Sequence, residues 1–228
     1  MISDKKQSII IVAGGQGLRA GGDVPKQFQL LGGEPILMRT VRAFYDYSNL
    51  IGIVLVLPES FCDYWQKLCE KHRFPIPHTV VVGGETRFHS VQSGLAKVSA
   101  NEIVGVHDGA RPFVSPQLIA QCFEAAETRQ CGIVPVIDET NSMRLLAPDS
   151  TNAIIDRKML KIVQTPQVFP ASMLKKAYEA VFDPAFTDDA SVAERHGMKI
   201  ELIPGEETNI KITTSFDILI GELLVANR

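Results

Sequence analysis

Short runs of apolar residues alternate along the chain with segments in which apolar residues recur every three or four positions. The apolar runs cover residues 8–13, 51–57, 79–82, 102–107, 131–136 and 198–203. Helical spacing covers residues 36–47, 60–72, 86–98, 170–182, 189–196 and 215–226, and Ser115-Pro116 begins a further helix. Continuous apolar strands that alternate with helices predict an α/β fold, with a doubly wound, mostly parallel sheet covered on both faces.

The alternation is interrupted between residues 137 and 164. This segment holds strand-like pieces at 142–146 and 153–155, around the turn Ala147-Pro148-Asp149-Ser150. The pattern predicts a protruding β-arm built as a hairpin. An arm with little core of its own needs a surface to pack on, and a second copy of the chain supplies one. We therefore expect residues 1–228 to form a single domain that dimerises through the 137–164 arm.

Composition narrows the classes of function. The chain has 228 residues, 45% of them hydrophobic, with a net charge of -3, so no basic excess indicates a nucleic-acid partner. No apolar run approaches the roughly 20 residues of a membrane helix, and we expect no membrane association. The four cysteines form no CxxC pair, which favours reduced thiols in a cytoplasmic protein.

The first predicted strand ends in a glycine-rich loop. It has the sequence Val12-Ala13-Gly14-Gly15-Gln16-Gly17-Leu18-Arg19, and Pro25-Lys26-Gln27 closes it. Glycines allow the sharp turn and let backbone N–H groups approach a ligand closely. Arg19 and Lys26 add positive charge beside those amides. Together these features indicate a polyphosphate site.

Two common phosphate motifs fit this loop poorly. The dinucleotide fingerprint expects an acidic residue about 20 positions on, at the end of the second strand, and here that strand ends at Leu57. The P-loop requires Ser or Thr after its lysine, where this chain has Gln27. A glycine turn without a ligand is a third interpretation. The interpretation we favour is a nucleotidyltransferase loop whose cations stabilise charge on a nucleoside triphosphate.

Later loops add motifs that extend through nearly the whole chain. They are Gly83-Gly84-Glu85-Thr86-Arg87-Phe88-His89-Ser90-Val91, His107-Asp108-Gly109-Ala110-Arg111-Pro112, Gln164-Thr165-Pro166-Gln167, Thr187-Asp188-Asp189-Ala190-Ser191 and Asn209-Ile210-Lys211-Ile212-Thr213. With the glycine loop, their order and spacing make the chain resemble the 2-C-methyl-D-erythritol 4-phosphate cytidylyltransferases of non-mevalonate isoprenoid biosynthesis. The resemblance implies a Rossmann-like nucleotidyltransferase fold.

The resemblance also implies a reaction and a set of site residues. CTP and 2-C-methyl-D-erythritol 4-phosphate would give the cytidine diphosphate derivative and pyrophosphate, with Mg²⁺ or another divalent cation whose ligands the sequence does not indicate. The implied catalytic residues are Arg19, Lys26 and Lys211. The implied nucleotide-binding residues are Ala13, Gly14, Gly15, Gly84, Glu85, Ser90, Asp108 and Gly109. The implied substrate-binding residues are Asp108, Arg111, Thr140, Arg157, Thr165 and Thr187, with Thr140 and Arg157 supplied by the partner's arm.

Other interpretations remain open at this stage. A ribitol 5-phosphate cytidylyltransferase has similar loops, and a catalytically silent nucleotide-binding regulator would share the glycine loop. For single residues, Asp108 also fits an Asx turn, Ser90 a helix surface and Lys211 an outward-facing lysine of an edge strand. We expect His107 to be a packed histidine, because a phosphate nucleophile is already ionised and needs no base.

Overall fold

A computed structural model of the chain describes residues 6–14 and 25–227; the predicted site residues Gly15 and Arg19 lie outside these ranges. The described strands are β1 (Gln7–Val12), β2 (Leu30–Leu31), β3 (Glu34–Pro35), β4 (Gly52–Leu57), β5 (Thr79–Val82), β6 (Ile103–Asp108), β7 (Gly132–Asp138), β8 (Arg144–Leu146), β9 (Asn152–Ile154), β10 (Lys161–Val163), β11 (Gln167–Pro170) and β12 (Ile200–Pro204). The described helices are α1 (Ile36–Tyr47), α2 (Glu59–His72), α3 (Arg87–Leu95), α4 (Pro116–Arg129), α5 (Ala171–Ala177), α6 (Asp189–Arg195) and α7 (Ser215–Ala226), with 3-10 turns at Lys26–Phe28 and Arg157–Met159. None of these helices combines the length and apolar character that a membrane crossing requires.

The large sheet has the strand order β5-β4-β1-β6-β11-β7, and both β12 and β10 pair with β7. Strands β5, β4, β1 and β6 run parallel, and β12 runs parallel to β7. Strand β11 lies between β6 and β7 and is antiparallel to both. The predicted doubly wound, mostly parallel sheet is confirmed.

Helices cover both faces of this sheet, as the strand β1 illustrates. Its side chains alternate between two cores: Ile9 and Ile11 pack with residues of α1, α2 and α4, whereas Ile10 and Val12 pack with residues of α3, α5 and α6. Because successive side chains of a strand point to opposite faces, a continuous apolar run is what such a buried strand requires.

Two helices end well before their predicted ends, and one strand was missed. The helix predicted from residue 86 to 98 ends at Leu95, because the chain tightens and the N–H of Val98 donates to the carbonyl of Leu95 at 3.1 Å. The helix predicted over 170–182 is α5, and it ends at Ala177 with the same kind of tightening. Strand β11 was not predicted, because it is only four residues long and its last residue, Pro170, was assigned to the following helix.

The 137–164 segment leaves the sheet and returns to it. Strands β8 and β9 form the predicted hairpin, with Arg144 opposite Ile154. At the base of the segment, β10 pairs antiparallel with the end of β7 and so extends the sheet. Large apolar side chains stay uncovered along the arm: Leu146 is 71% exposed, Ile154 85% and Met159 82%.

Candidate active site

A cavity of about 320 Å³ opens at the carboxyl ends of β1, β5 and β6, the edge at which doubly wound sheets bind ligands. It is lined by Val12, Ala13, Gly14, Lys26, Gln27, Gly84, Glu85, Thr86, Arg87, Ser90, Asp108, Gly109, Ala110 and Lys211. The structure thus brings together nine predicted site residues from four separate motifs: Ala13, Gly14, Lys26, Gly84, Glu85, Ser90, Asp108, Gly109 and Lys211.

One wall of the cavity is the loop that leads into α3. A side chain on Gly84 would place its Cβ 2.4 Å from the Cβ of His89, so this close approach requires glycine. Thr86 caps the helix, and its hydroxyl accepts the N–H of His89 at 3.3 Å. Ser90 is buried one turn later, with its Oγ 3.4 Å from the carbonyl of Gly84. Ser90 is therefore a residue of the cavity wall, and its interpretation as a helix surface was wrong.

Two buried neighbours fix the turn that carries Lys26. The side-chain amide of Gln27 donates to the carbonyl of Ala13 at 3.0 Å and ties the turn to the end of β1. The ring of Phe28 is buried, with centroids 5.5 Å from Phe61 and 5.2 Å from Tyr64. Lys26 thus projects from a turn held at both following residues.

Asp108 lies at the end of β6 and faces three cations. Its Oδ2 is 2.7 Å from Lys211 Nζ and 3.7 Å from Arg111 Nε, and its Oδ1 is 3.6 Å from Arg87 Nε. Burial alone would raise the pKa of Asp108, but Arg87 and Lys211 hold that pKa well below its ordinary value. The carboxylate is therefore ionised at neutral pH. Lys211 keeps 44% of its side chain exposed, so its ammonium remains accessible to an anion in the cavity.

The buried side chain of His107 is linked through Thr165 to the backbone of Asp108. His107 Nε2 is 3.0 Å from the carbonyl of Arg111, which can only accept, so this nitrogen carries the proton. His107 Nδ1 then accepts the hydroxyl of Thr165 at 3.1 Å, and Thr165 Oγ1 accepts the N–H of Asp108 at 3.1 Å. Burial lowers the pKa of His107 to about 4, which keeps the ring neutral. His107 is packed, as predicted, and its contacts with Thr165 fix the backbone of Asp108.

Arg111 is buried beside the cavity, and its guanidinium donates hydrogen bonds to two backbone carbonyls. Its Nη1 donates to Asn209 O at 2.7 Å and its Nη2 to Val163 O at 3.4 Å, at the base of the arm. Ile212 holds the 209–213 segment in place. Its side chain is fully buried, and its N–H donates to Ala110 O at 2.9 Å. Residues 209–213 contain no strand, so the edge-strand interpretation of Lys211 was wrong.

The remaining predicted substrate residues lie away from the cavity lining. Thr187 is exposed just before α6, and its N–H donates to Ser191 Oγ at 3.1 Å. Thr140 and Arg157 are exposed on the arm, where Arg157 Nη1 donates to the carbonyl of Thr140. The contacts found within residues 6–14 and 25–227 do not join these two arm residues to the cavity of the same chain.

Comparison with known protein families identifies the family of this chain. The chain matches the model of the 2-C-methyl-D-erythritol 4-phosphate cytidylyltransferase family over residues 8–227. It belongs to that family. The predicted resemblance is confirmed, and the Rossmann-like nucleotidyltransferase fold with it.

The chain aligns with similar proteins over nearly its full length and nearly theirs. A 2-C-methyl-D-erythritol 4-phosphate cytidylyltransferase of Phocaeicola vulgatus is 52% identical over 95% of this chain and 98% of its own. That of Bacteroides thetaiotaomicron is 51% identical over 96% of this chain and 100% of its own. The crystal structure of the 4-diphosphocytidyl-2C-methyl-D-erythritol synthase of Anaerococcus prevotii matches with a TM-score of 0.81 at 26% identity, over 97% of this chain and 99% of the other.

Several polar residues of this cytidylyltransferase family member were not predicted as part of the site. Arg87 lines the cavity, Asp189 pairs with it, and Gln167 is fully buried with its side chain bonded to Asp188 and Ala190. Each lies inside a motif that carries the family resemblance. Their roles depend on partners far along the chain, 102 residues away for Arg87, so spacing within a motif gave no signal.

The cation that the cytidylyltransferase family implies can be tested against the donors present. Within the described residues, no group of three His, Cys, Asp or Glu side chains is placed to hold a metal ion. Asp108 and Glu85 line the cavity. Mg²⁺ is commonly held by one or two carboxylates together with substrate phosphates. The donor set therefore fits a cation that takes most of its ligands from a bound triphosphate.

Proposed function

We propose that this chain transfers the cytidylyl group of CTP to 2-C-methyl-D-erythritol 4-phosphate in non-mevalonate isoprenoid biosynthesis. A phosphate oxygen of the second substrate attacks the α-phosphorus of CTP in line, and the bond to the β-phosphate oxygen breaks. The products are 4-diphosphocytidyl-2-C-methyl-D-erythritol and pyrophosphate. The observation that carries the proposal is the cavity that joins Lys26, Asp108 and Lys211 to the Gly84–Ser90 wall.

The Gly84–Ser90 wall suits a cytosine ring. Cytosine presents one amine donor beside adjacent acceptors, and the wall offers backbone groups together with Glu85 and the Ser90 hydroxyl. Ala13 and Gly14 on one side, and Gly109 on the other, leave room for the nucleotide. Gly15 is assigned to nucleotide binding from its motif alone. A pocket of short groups selects a small base by shape as well as by hydrogen bonding.

Positive side chains supply the electrostatic part of the reaction. Arg19 and Lys26 neutralise the triphosphate and the charge that develops on the leaving pyrophosphate. Lys211, held by Asp108 at 2.7 Å, receives the phosphate of the second substrate and orients its oxygen. A bound divalent cation would supply further charge neutralisation on the triphosphate, next to Asp108. The protein itself provides no covalent nucleophile.

The second substrate occupies the side of the cavity toward Thr187. We assign Arg111 and Thr165 to the binding of this substrate as well, and the partner's arm would contribute Thr140 and Arg157. The exposed apolar side chains of the arm support a homodimer, because such a surface is normally covered in solution. We also propose a cytoplasmic location, in keeping with four free cysteine thiols.

Release of pyrophosphate from CTP tests the proposed function. With equal concentrations of methylerythritol 4-phosphate and ribitol 5-phosphate, we expect kcat/KM to be at least about tenfold higher for the former, one missing favourable contact being worth about this factor. Faster turnover of ribitol phosphate would overturn the choice of substrate. CTP binding without any pyrophosphate release would favour the silent regulator.

A further inference from the structure

Arg87 connects two loops that carry different parts of the proposed site. It is the first residue of α3 and follows directly on the Gly84–Thr86 loop of the predicted cytosine pocket. Across the cavity wall, its Nη1 is 3.0 Å from Oδ1 of Asp189 and its Nη2 is 2.6 Å from Oδ2. Asp189 is the first residue of α6 and follows directly on Thr187 and Asp188. This ion pair thus joins the nucleotide loop to the substrate loop, beside the stacked rings of Phe88 and Phe186, whose centroids are 5.7 Å apart.

The geometry of this pair is fixed by further partners. The side chain of Asp189 is fully buried, and its Oδ1 also accepts the hydroxyl of Tyr178 at 2.7 Å. Burial raises the pKa of Tyr178 and Asp189 raises it further, so the hydroxyl keeps its proton and remains a donor. A guanidinium forked onto both carboxylate oxygens restricts the relative orientation of the two loops more than a single hydrogen bond does.

The third nitrogen of Arg87 faces the reacting region. Its Nε is 3.6 Å from Oδ1 of Asp108, while Lys211 holds the other oxygen at 2.7 Å. About a third of the Arg87 side chain is exposed, and it lines the cavity. Arg87 therefore lies at one oxygen of Asp108, while Lys211 and Arg111 lie at the other.

Stability alone does not account for this arrangement. A buried ion pair loses most of its Coulomb gain to desolvation, and a well-packed apolar pair of similar volume often stabilises a fold equally well. An apolar pair, however, could not present a cation to Asp108 or define the orientation of the loops so narrowly.

We propose that Arg87 is a positioning residue, which fastens the Thr187 loop to the cytosine loop and orients Asp108 toward Lys211. It acts on the reaction through these groups, and the inference rests on the proposed function. Its loss affects the second substrate and the chemical step more than the binding of CTP, because the fork orients the substrate loop and Asp108 orients Lys211.

Arg87→Lys tests the fork, because lysine keeps the charge and loses the bidentate geometry. We expect KM for methylerythritol 4-phosphate to rise about tenfold and kcat to fall about tenfold, while KM for CTP changes less than threefold. The matched control is Arg129→Lys, which alters the exposed pair with Glu201 on the last turn of α4 and should leave all three constants unchanged. An equal rise of both KM values, or no change, would overturn the inference.

A triple variant separates positioning from stability. Arg87→Met with Tyr178→Phe and Asp189→Leu replaces the whole polar cluster by apolar groups. We expect the melting temperature of the triple variant to lie closer to the wild-type value than that of Arg87→Lys does. KM for the sugar phosphate should stay raised in both variants. Recovery of KM together with stability would show a purely structural role.

Hydrogen exchange of the amides of residues 187–191, measured without substrates, decides the inference separately from the reaction. We expect faster exchange in Arg87→Lys than in the wild type and in Arg129→Lys; equal exchange would overturn the inference. If the wild type releases no pyrophosphate from either sugar phosphate, the proposed function fails, and this measurement still decides whether Arg87 fastens the loop.

Discussion

At the scale of single residues, the site depends on how Asp108 is surrounded. Its carboxylate meets Lys211 and Arg87, and its backbone N–H is held by Thr165, which in turn donates to His107. Sequence reasoning could place Asp108 at the end of a strand and so at the ligand-binding edge. It could not show that His107 is neutral, because that follows from full burial and from an acceptor carbonyl four residues away.

The buried His107 predicts a pH dependence of stability. Its pKa falls from 6.5 to about 4 on folding, so the unfolded chain takes up a proton near pH 6.5 and the folded chain does not. The free energy of unfolding is unaffected above pH 6.5 and falls as the pH decreases from 6.5 to 4, by about 3 kcal/mol. Denaturant unfolding at pH 7 and pH 4.5 measures this loss.

His107→Gln is the control for that loss, because glutamine keeps an amide donor and does not titrate. Its own stability at pH 7 is expected to be lower than that of the wild type, so the comparison uses the change between the two pH values. The variant should lose markedly less stability over this interval. Equal losses in the two proteins would exclude His107 as the source.

At the scale of elements, the apolar patterns predicted the type of the long strands and helices, although two helices end earlier than predicted. They failed at β11, where Gln167 begins a four-residue strand next to Pro166. They also could not foresee the turn at Lys26–Phe28, because what fixes this turn is an aromatic cluster from α2. Local sequence predicts whether a segment is a helix or a strand. The contacts that hold the segment in place come from residues distant in the sequence, and local sequence does not predict them.

This anchoring predicts a catalytic effect of an apolar substitution. Phe28→Leu should cost about 1 kcal/mol of stability, since the volume changes little. It should lower kcat about tenfold or more, because the turn that carries Lys26 loses its ring contacts and shifts. Steady-state kinetics with saturating substrates measures the change.

Phe123→Leu is the matched control. Phe123 is fully buried on α4 and stacks on Tyr47 with centroids 6.2 Å apart, outside the cavity lining. We expect a similar cost in stability and a kcat within about twofold of the wild type. If both variants lose the same activity, the effect of Phe28 is one of general stability.

At the scale of the whole molecule, the main feature outside the cavity is the arm of residues 137–164. Its apolar side chains are exposed, and Arg157 donates to the carbonyl of Thr140, on the arm itself. The sequence predicted the arm from the loss of the α/β alternation. Whether the arm reaches a second cavity does not follow from the sequence, because that depends on how two copies pack.

Mixing two inactive variants tests the shared site. In a dimer of Arg157→Ala with Lys26→Ala, one cavity has an intact Lys26 and receives an intact Arg157 from its partner. After unfolding and refolding an equal mixture, about a quarter of the wild-type activity should return, since half of the dimers are mixed and each has one complete site.

The two variants refolded separately serve as the controls and should remain inactive. Absence of any recovery in the mixture, with dimers present by sedimentation, would contradict sharing of the arm. Recovery in Arg157→Ala alone would show that this arginine is dispensable.

The antiparallel strand β11 also has a consequence for synthesis. Strands β6 and β7 leave the ribosome before the strand that joins them, because β11 lies between them in space and after them in sequence. In the complete chain, β11 pairs with both strands and fills the space between them. The segment that fills this space is preceded by Thr165, the residue that holds Asp108 and His107. The link between β6 and β7 and the hydrogen bonds of Thr165 to Asp108 and His107 therefore both depend on residues 165–170, which are made after the two strands that they join.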